Sequence, residues 1–195
     1  MGTVLGAAFV VSGVAAPAAA APPQVHPQAN IVTEVGPASA HPGFAEQAGT
    51  AGLTVAQAEA LQSQVDSALA RSGGTQVSLN KIDLNGTGTI VLPLPGQDRA
   101  REVSASGEVG ALYTCSYYHF CAFSGTSYSG SVIDMVSCRS YSIPWGGNGS
   151  WKNNQSTGTR ARMYGSSGSL IYTTPGAYSS DSVGDWTPVW TVRPC

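Results

Sequence analysis

The sequence predicts an all-β domain over residues 113–195, held by two disulfides. Three observations predict it. All four cysteines (Cys115, Cys121, Cys138 and Cys195), all four Trp and all eight Tyr fall in this stretch. Its apolar runs are short, near Phe120–Ser124, Val132–Val136, Arg160–Tyr164, Ser169–Thr173 and Pro188–Val192, with Gly, Ser and Asn between them. That is the pattern of a sandwich of short strands. Charged residues are 10% of the 195, against roughly 25% in a typical soluble domain, so the surface relies on glycine-rich turns and aromatic side chains.

The chain before that domain reads as four segments. Residues 1–20 resemble an export signal: Thr3 to Val14 is apolar and small, and the Ala-rich run from Ala15 to Ala21 supplies small residues for cleavage. No Lys or Arg precedes the apolar run. Residues 21–50 carry Pro22, Pro23, Pro27, Pro37 and Pro42 without a period and read as a disordered linker or propeptide. Residues 51–102 read as a small helix-plus-hairpin unit. Thr54 caps a helix with Gln57 three residues on, and Leu61, Val65, Ala68 and Leu69 form one apolar stripe. Gly73-Gly74 ends the helix, and Asn85-Gly86 turns a hairpin. This unit lacks Cys, Trp and Tyr. Either it packs on the next domain or it is a removable prosegment. Residues 103–112 read as a linker, because composition changes there. Up to Gly110 the chain has four Lys/Arg and eight Asp/Glu, and beyond it five and three.

Net charge is −2, which gives no whole-chain field toward nucleic acid or a membrane surface. We expect an exported protein, free of the membrane once the signal is removed, and monomeric. Four cysteines clustered in one exported domain imply two disulfides with three pairings open. Cys115–Cys121 with Cys138–Cys195 is favoured, because a terminal residue frays unless it is tied down.

The sharpest local pattern is Phe123-Ser-Gly-Thr-Ser-Tyr128-Ser-Gly130. Two aromatics five apart and a glycine two further on let a hairpin tip fold back, so that one ring covers the other. Glycine accepts the backbone conformation this needs. The pattern resembles the folded-hairpin signature of βγ-crystallin Greek keys. In that family a serine further along bonds to the hairpin, and Ser150 stands at a suitable distance. A second copy, from Tyr164 to Cys195, is degenerate, with only Tyr164 and Gly168 suggestive. The wider stretch from Cys115 to Gly130 resembles the start of the secreted metalloproteinase inhibitors of streptomycetes, which join a Cys-x5-Cys to such a hairpin on a crystallin-like fold. The match covers about 16 residues well. It implies a βγ-crystallin-like Greek-key sandwich and a protein that presents a rigid loop to an extracellular protease. The inhibitors carry their reactive bond beside a second closely spaced cysteine pair. Cys138 and Cys195 are far apart, so no reactive bond carries over.

No enzyme is expected. His26 and His41 fall in the linker, which leaves His119 with the acids Asp134, Asp181 and Asp185. No nucleophile elbow accompanies them. Cys115, His119 and Cys121 have no usual zinc spacing, and export favours disulfides. No cofactor is required. Calcium is open: Asn153-Asn154-Gln-Ser-Thr157-Gly158 is similar to a crystallin-type oxygen site, with Gly158 where that site has a serine.

The remaining signal is aromatic. Trp145 and Trp151, beside Tyr141, bracket a Gly-rich stretch, and Tyr117 and Tyr118 sit inside the first Cys-x5-Cys. Either these rings fill a core poor in Leu and Ile, or they form an exposed binding edge, since Trp and Tyr dominate interface hot spots. Candidate loops are 116–120 and 143–152. The leading expectation is a secreted proteinase-inhibitor-like protein. Its rivals are a carbohydrate or cell-wall-binding module, a crystallin-like killer toxin or antifungal protein, and a calcium-stabilised structural protein.

Overall fold

The computed structural model describes Gly2 and residues 42–195. The expected signal segment 1–20 and most of the expected linker lie outside the described residues. The last part of that linker is helical instead: α1 spans Pro42–Thr50. It is held because Ala48 is buried and Gln47 Oε1 accepts from the Leu79 amide at 2.8 Å. Gly52, at φ 76°, then reverses the chain, and α2 runs over Val55–Ser72. Thr54 is its N-cap, in a reciprocal capping box with Gln57. Leu61, Val65 and Ala68 form its buried stripe.

Strands β1 (Thr75–Ser78), β2 (Lys81–Asp83) and β3 (Gly88–Val91) follow. Asn85 and Gly86, at φ 58° and 71°, make the tight turn between β2 and β3. The expected linker 103–112 is half strand: β4 (Arg101–Val103) and β5 (Val109–Leu112) pair as a hairpin. Its anchor is Asn80, fully buried, whose side-chain amide donates to the Leu92 and Arg101 carbonyls and accepts from the Val103 amide.

Eight further strands complete the chain: β6 (His119–Phe123), β7 (Val132–Met135), β8 (Tyr141–Ser142), β9 (Asn148–Asn154), β10 (Arg162–Tyr164), β11 (Leu170–Thr173), β12 (Ser179–Asp185) and β13 (Thr191–Arg193). They form two antiparallel sheets, ordered β1-β2-β3-β7-β6-β9-β12 and β11-β10-β13-β8. One pattern occurs twice. β6 pairs with β7 and β9 while β8 crosses to the other sheet; β10 pairs with β11 and β13 while β12 crosses back.

Residues 51–102 therefore do not stand apart from 113–195. Strand β3 pairs with β7 from Gly88↔Met135 to Val91↔Val132, and residues 42–195 fall within one compact unit. The main core joins both sheets and α2: Leu61, Ile82, Ile90, Phe120, Ile133, Met163, Trp186 and Val192 belong to one cluster. Each such burial is worth roughly 1.5–3 kcal/mol. A second cluster lies under Ala100 and Tyr113, with Val91, Cys121, Phe123 and Val132. Strands β6 and β7 are thus covered on both faces, which is why Phe120–Phe123 and all of β7 are buried, apolar at every position but Asp134.

Candidate functional site

Both expected disulfides form. Cys115–Cys121 has its Cα atoms 5.8 Å apart and Cys138–Cys195 has them 5.4 Å apart. The first closes a short loop at the head of β6, and both suit an oxidising compartment. The loop is a tight turn rather than an extended strand. The His119 amide donates back to the Ser116 carbonyl at 3.3 Å, and Tyr118 sits at φ 70°, a costly conformation for a residue with a Cβ. It is held from outside: the Tyr118 amide donates to the Asn154 carbonyl at 2.8 Å, and Asn154 Nδ2 donates to the Cys115 carbonyl at 3.0 Å.

This clamp leaves two rings facing solvent. Tyr117 is 53% exposed and Tyr118 63%. They meet edge to face at 4.4 Å, and Tyr117 stacks on Tyr178 at 5.6 Å with their hydroxyls hydrogen-bonded. That bond with Tyr178 raises the Tyr117 hydroxyl above its ordinary pKa. Tyr178, itself 52% exposed, completes a three-ring platform that no local sequence pattern announces, because it stands 61 residues from Tyr117.

Behind the loop is a polar chain centred on the buried Asp134. His119 Nδ1 lies 2.6 Å from Asp134 Oδ1, and the Tyr113 hydroxyl donates to Asp134 Oδ2. Burial pushes the Asp134 carboxyl above the usual carboxylate range, against the opposing pull of Tyr113 and His119. Burial and the neighbouring Asp134 charge drive the Tyr113 hydroxyl well above its ordinary value. Tyr113 therefore stays a donor at any ordinary pH. The chain pins β6 to β7 and to the segment leading out of β5.

Next to it the structure brings together Phe123, Tyr128, Gly130 and Ser150. The rings of Phe123 and Tyr128 meet edge to face at 5.7 Å, and Gly130 takes φ 76°. Ser150 Oγ accepts from the Tyr128 amide at 2.9 Å and donates to the Gly125 carbonyl at 2.7 Å. Lys152 lies 4.1 Å over the Tyr128 ring, a cation–π contact. The hairpin tip is also gripped from the N-terminal side: the Gly130 amide donates to the Asp98 carbonyl, and Arg99 donates to the Ser127 carbonyl at 2.9 Å.

Of the two readings of Trp145 and Trp151, the rings fill the core rather than form an exposed edge over 143–152. Residues 148–154 are a strand in mid-sheet, Trp151 and Tyr141 are buried, and Trp145 is half-buried against the core. Gly149 lets Trp186 lie against this strand, where a Cβ would collide with the indole and with the Phe123 carbonyl. The exposed tryptophan is Trp190, at 62%. Asn153 and Asn154 use their side chains structurally. Asn153 Oδ1 accepts from Gln155 and its Nδ2 donates to the Thr159 and Pro175 carbonyls, while Asn154 Nδ2 holds Cys115. Thr157 is exposed on the following turn, bridged to Ala177. Of the three, Asn153 already spends its oxygen on Gln155. Among the described residues no group of three or more His, Cys, Asp or Glu side chains is arranged to hold a metal ion.

No family model matches the chain, and no curated protein or solved structure matches it.

Proposed function

We propose that the chain is an exported proteinase-inhibitor-like protein whose contact surface is the Tyr117–Tyr118 turn. The observation that carries this reading is the clamp on that turn. A disulfide, a main-chain bond to Asn154 and the Asn154 side chain hold two exposed tyrosines before any partner arrives. Ordering a loop on docking costs about 0.5–1.5 kcal/mol per immobilised side chain, and this loop is already ordered. Tyrosine supplies a large contact area with few rotatable bonds.

The fold part of the proposal is a pair of crystallin-type Greek keys, β6–β9 and β10–β13, exchanging their third strands. It is supported by the repeated pairing pattern and by the Ser150 bonds to the folded hairpin. The start of the chain and the two disulfides support export. Because the loop is a turn, it would dock as a wedge rather than lie as a substrate strand, so the inhibitor should survive the encounter uncut. Titration of the full oxidised chain against a thermolysin-like metalloprotease and a subtilisin-like serine protease tests this. Stoichiometric loss of activity with the chain intact supports it. Full activity at about micromolar inhibitor, or digestion at the loop, contradicts it.

A further inference from the structure

A second site lies away from the disulfide loop, in a cleft of about 290 Å³ between β9, β11 and β12. That is near the lower limit of small-molecule pockets. Its floor holds Trp151 and Trp186, and its wall Tyr172, Asp181, Gly184 and Asp185. The two indoles differ in one respect. Trp186 Nε1 donates to the Phe123 carbonyl at 2.9 Å. Trp151 is only 3% exposed, yet among the described residues nothing accepts from its Nε1. That nitrogen is not sealed from solvent, so the N–H stands open to the cleft as an unused donor. A Cβ on Gly184 would lie 3.6 Å from Trp151 Nε1 and 3.8 Å from Asp181 Oδ2. A donor and an acceptor therefore converge on one point, above the one residue on that wall without a side chain.

Both carboxylates have an oxygen to spare. Asp181 Oδ1 accepts from the Val183 amide and Asp185 Oδ1 from the Thr187 amide. Hydrogen bonds from Thr187 hold the Asp185 carboxyl below the usual range, so it is ionised. Tyr172, 42% exposed and 6.3 Å from Trp151 at a 50° tilt, adds an open aromatic face.

We infer that this cleft binds one sugar ring of a glycan. A pyranose is the ligand class that meets all three demands at once. Its hydroxyls donate to Asp181 and Asp185, a hydroxyl or ring oxygen accepts from Trp151 Nε1, and its C–H face lies on Tyr172. A guanidinium or ammonium group would satisfy the carboxylates but would leave the indole N–H without an acceptor. This inference is independent of the inhibitor reading, and neither falls with the other.

The test is tryptophan fluorescence of the full chain, titrated separately with chitotriose, cellotriose, xylotriose and maltotriose, and with arginine amide. At least one trisaccharide should give a saturable shift with a Kd on the order of 1 mM or tighter. Gly184→Val should weaken that affinity at least about tenfold. The new Cβ meets nothing closer than 3.5 Å, and the melting temperature is measured alongside so that lost affinity is read from a folded variant. Asp181→Asn keeps an acceptor for the Val183 amide and should also weaken binding while folding normally. No shift with any trisaccharide, equal binding by both variants, or a response to arginine amide alone would overturn the inference.

Discussion

The Tyr118 amide donates to the Asn154 carbonyl at 2.8 Å, and this bond seats the tip of the first disulfide loop on the end of β9. The neighbouring Asn154 side chain closes the clamp at Cys115. Asn154→Ala removes only the side-chain half. We expect a stability loss of about 1 kcal/mol by chemical denaturation, with faster hydrogen exchange at the Tyr118 amide. Exchange as slow as wild type would mean that the clamp does not hold the loop.

Ser150 is fully buried and serves two partners in the hairpin tip. Ser150→Ala leaves the Tyr128 amide and the Gly125 carbonyl without it. The expected loss is about 1–3 kcal/mol, measured by urea unfolding. A variant as stable as wild type would show that the hairpin holds its shape without that serine.

The two disulfides should separate stability from docking. In the chain-entropy model, the bridge spanning 57 residues contributes roughly 4 kcal/mol and the one spanning 6 roughly 2. Replacing Cys138 and Cys195 by Ala should therefore lower the melting temperature more than replacing Cys115 and Cys121. Protease binding should fall more with the second pair. The reverse order in either measurement contradicts the assignment of roles.

Asp134 sets a pH dependence. Its carboxyl is raised by burial, so the folded chain holds that proton more tightly than the unfolded chain. The associated stability is fully present below the unfolded value of about 3.9 and fades as pH rises through the folded value. Wild type should lose stability relative to Asp134→Asn as pH climbs from about 4 toward neutrality. Thermal unfolding of both proteins over that range measures this, and a constant difference contradicts it.

What the sequence made legible is what short-range chemistry specifies. Thr54 with Gln57 and Asn85 with Gly86 act over two to four residues, and their helix cap and tight turn are where the pattern puts them. Strand β9 was hidden because Asn148–Asn154 is largely polar; Asn153 and Asn154 spend their side chains on other loops. The role of Asn80 was hidden because its partners stand 12 to 23 residues away. A composition boundary at 103–112 was real, yet the fold runs through it, since β3 supplies the ladder that β7 needs. The Tyr117–Tyr178 stack joins two stretches that no linear motif relates.

The central claim is that the clamped tyrosine turn is the docking surface. Tyr118→Gly isolates it, because glycine accepts φ 70° without strain while removing the ring. The most direct measurement is the inhibition constant of wild type and of Tyr118→Gly against the same metalloprotease, alongside their melting temperatures. The account predicts inhibition by wild type and at least about a tenfold loss, some 1.4 kcal/mol, in a variant as stable as wild type. Equal inhibition by the two proteins would contradict it.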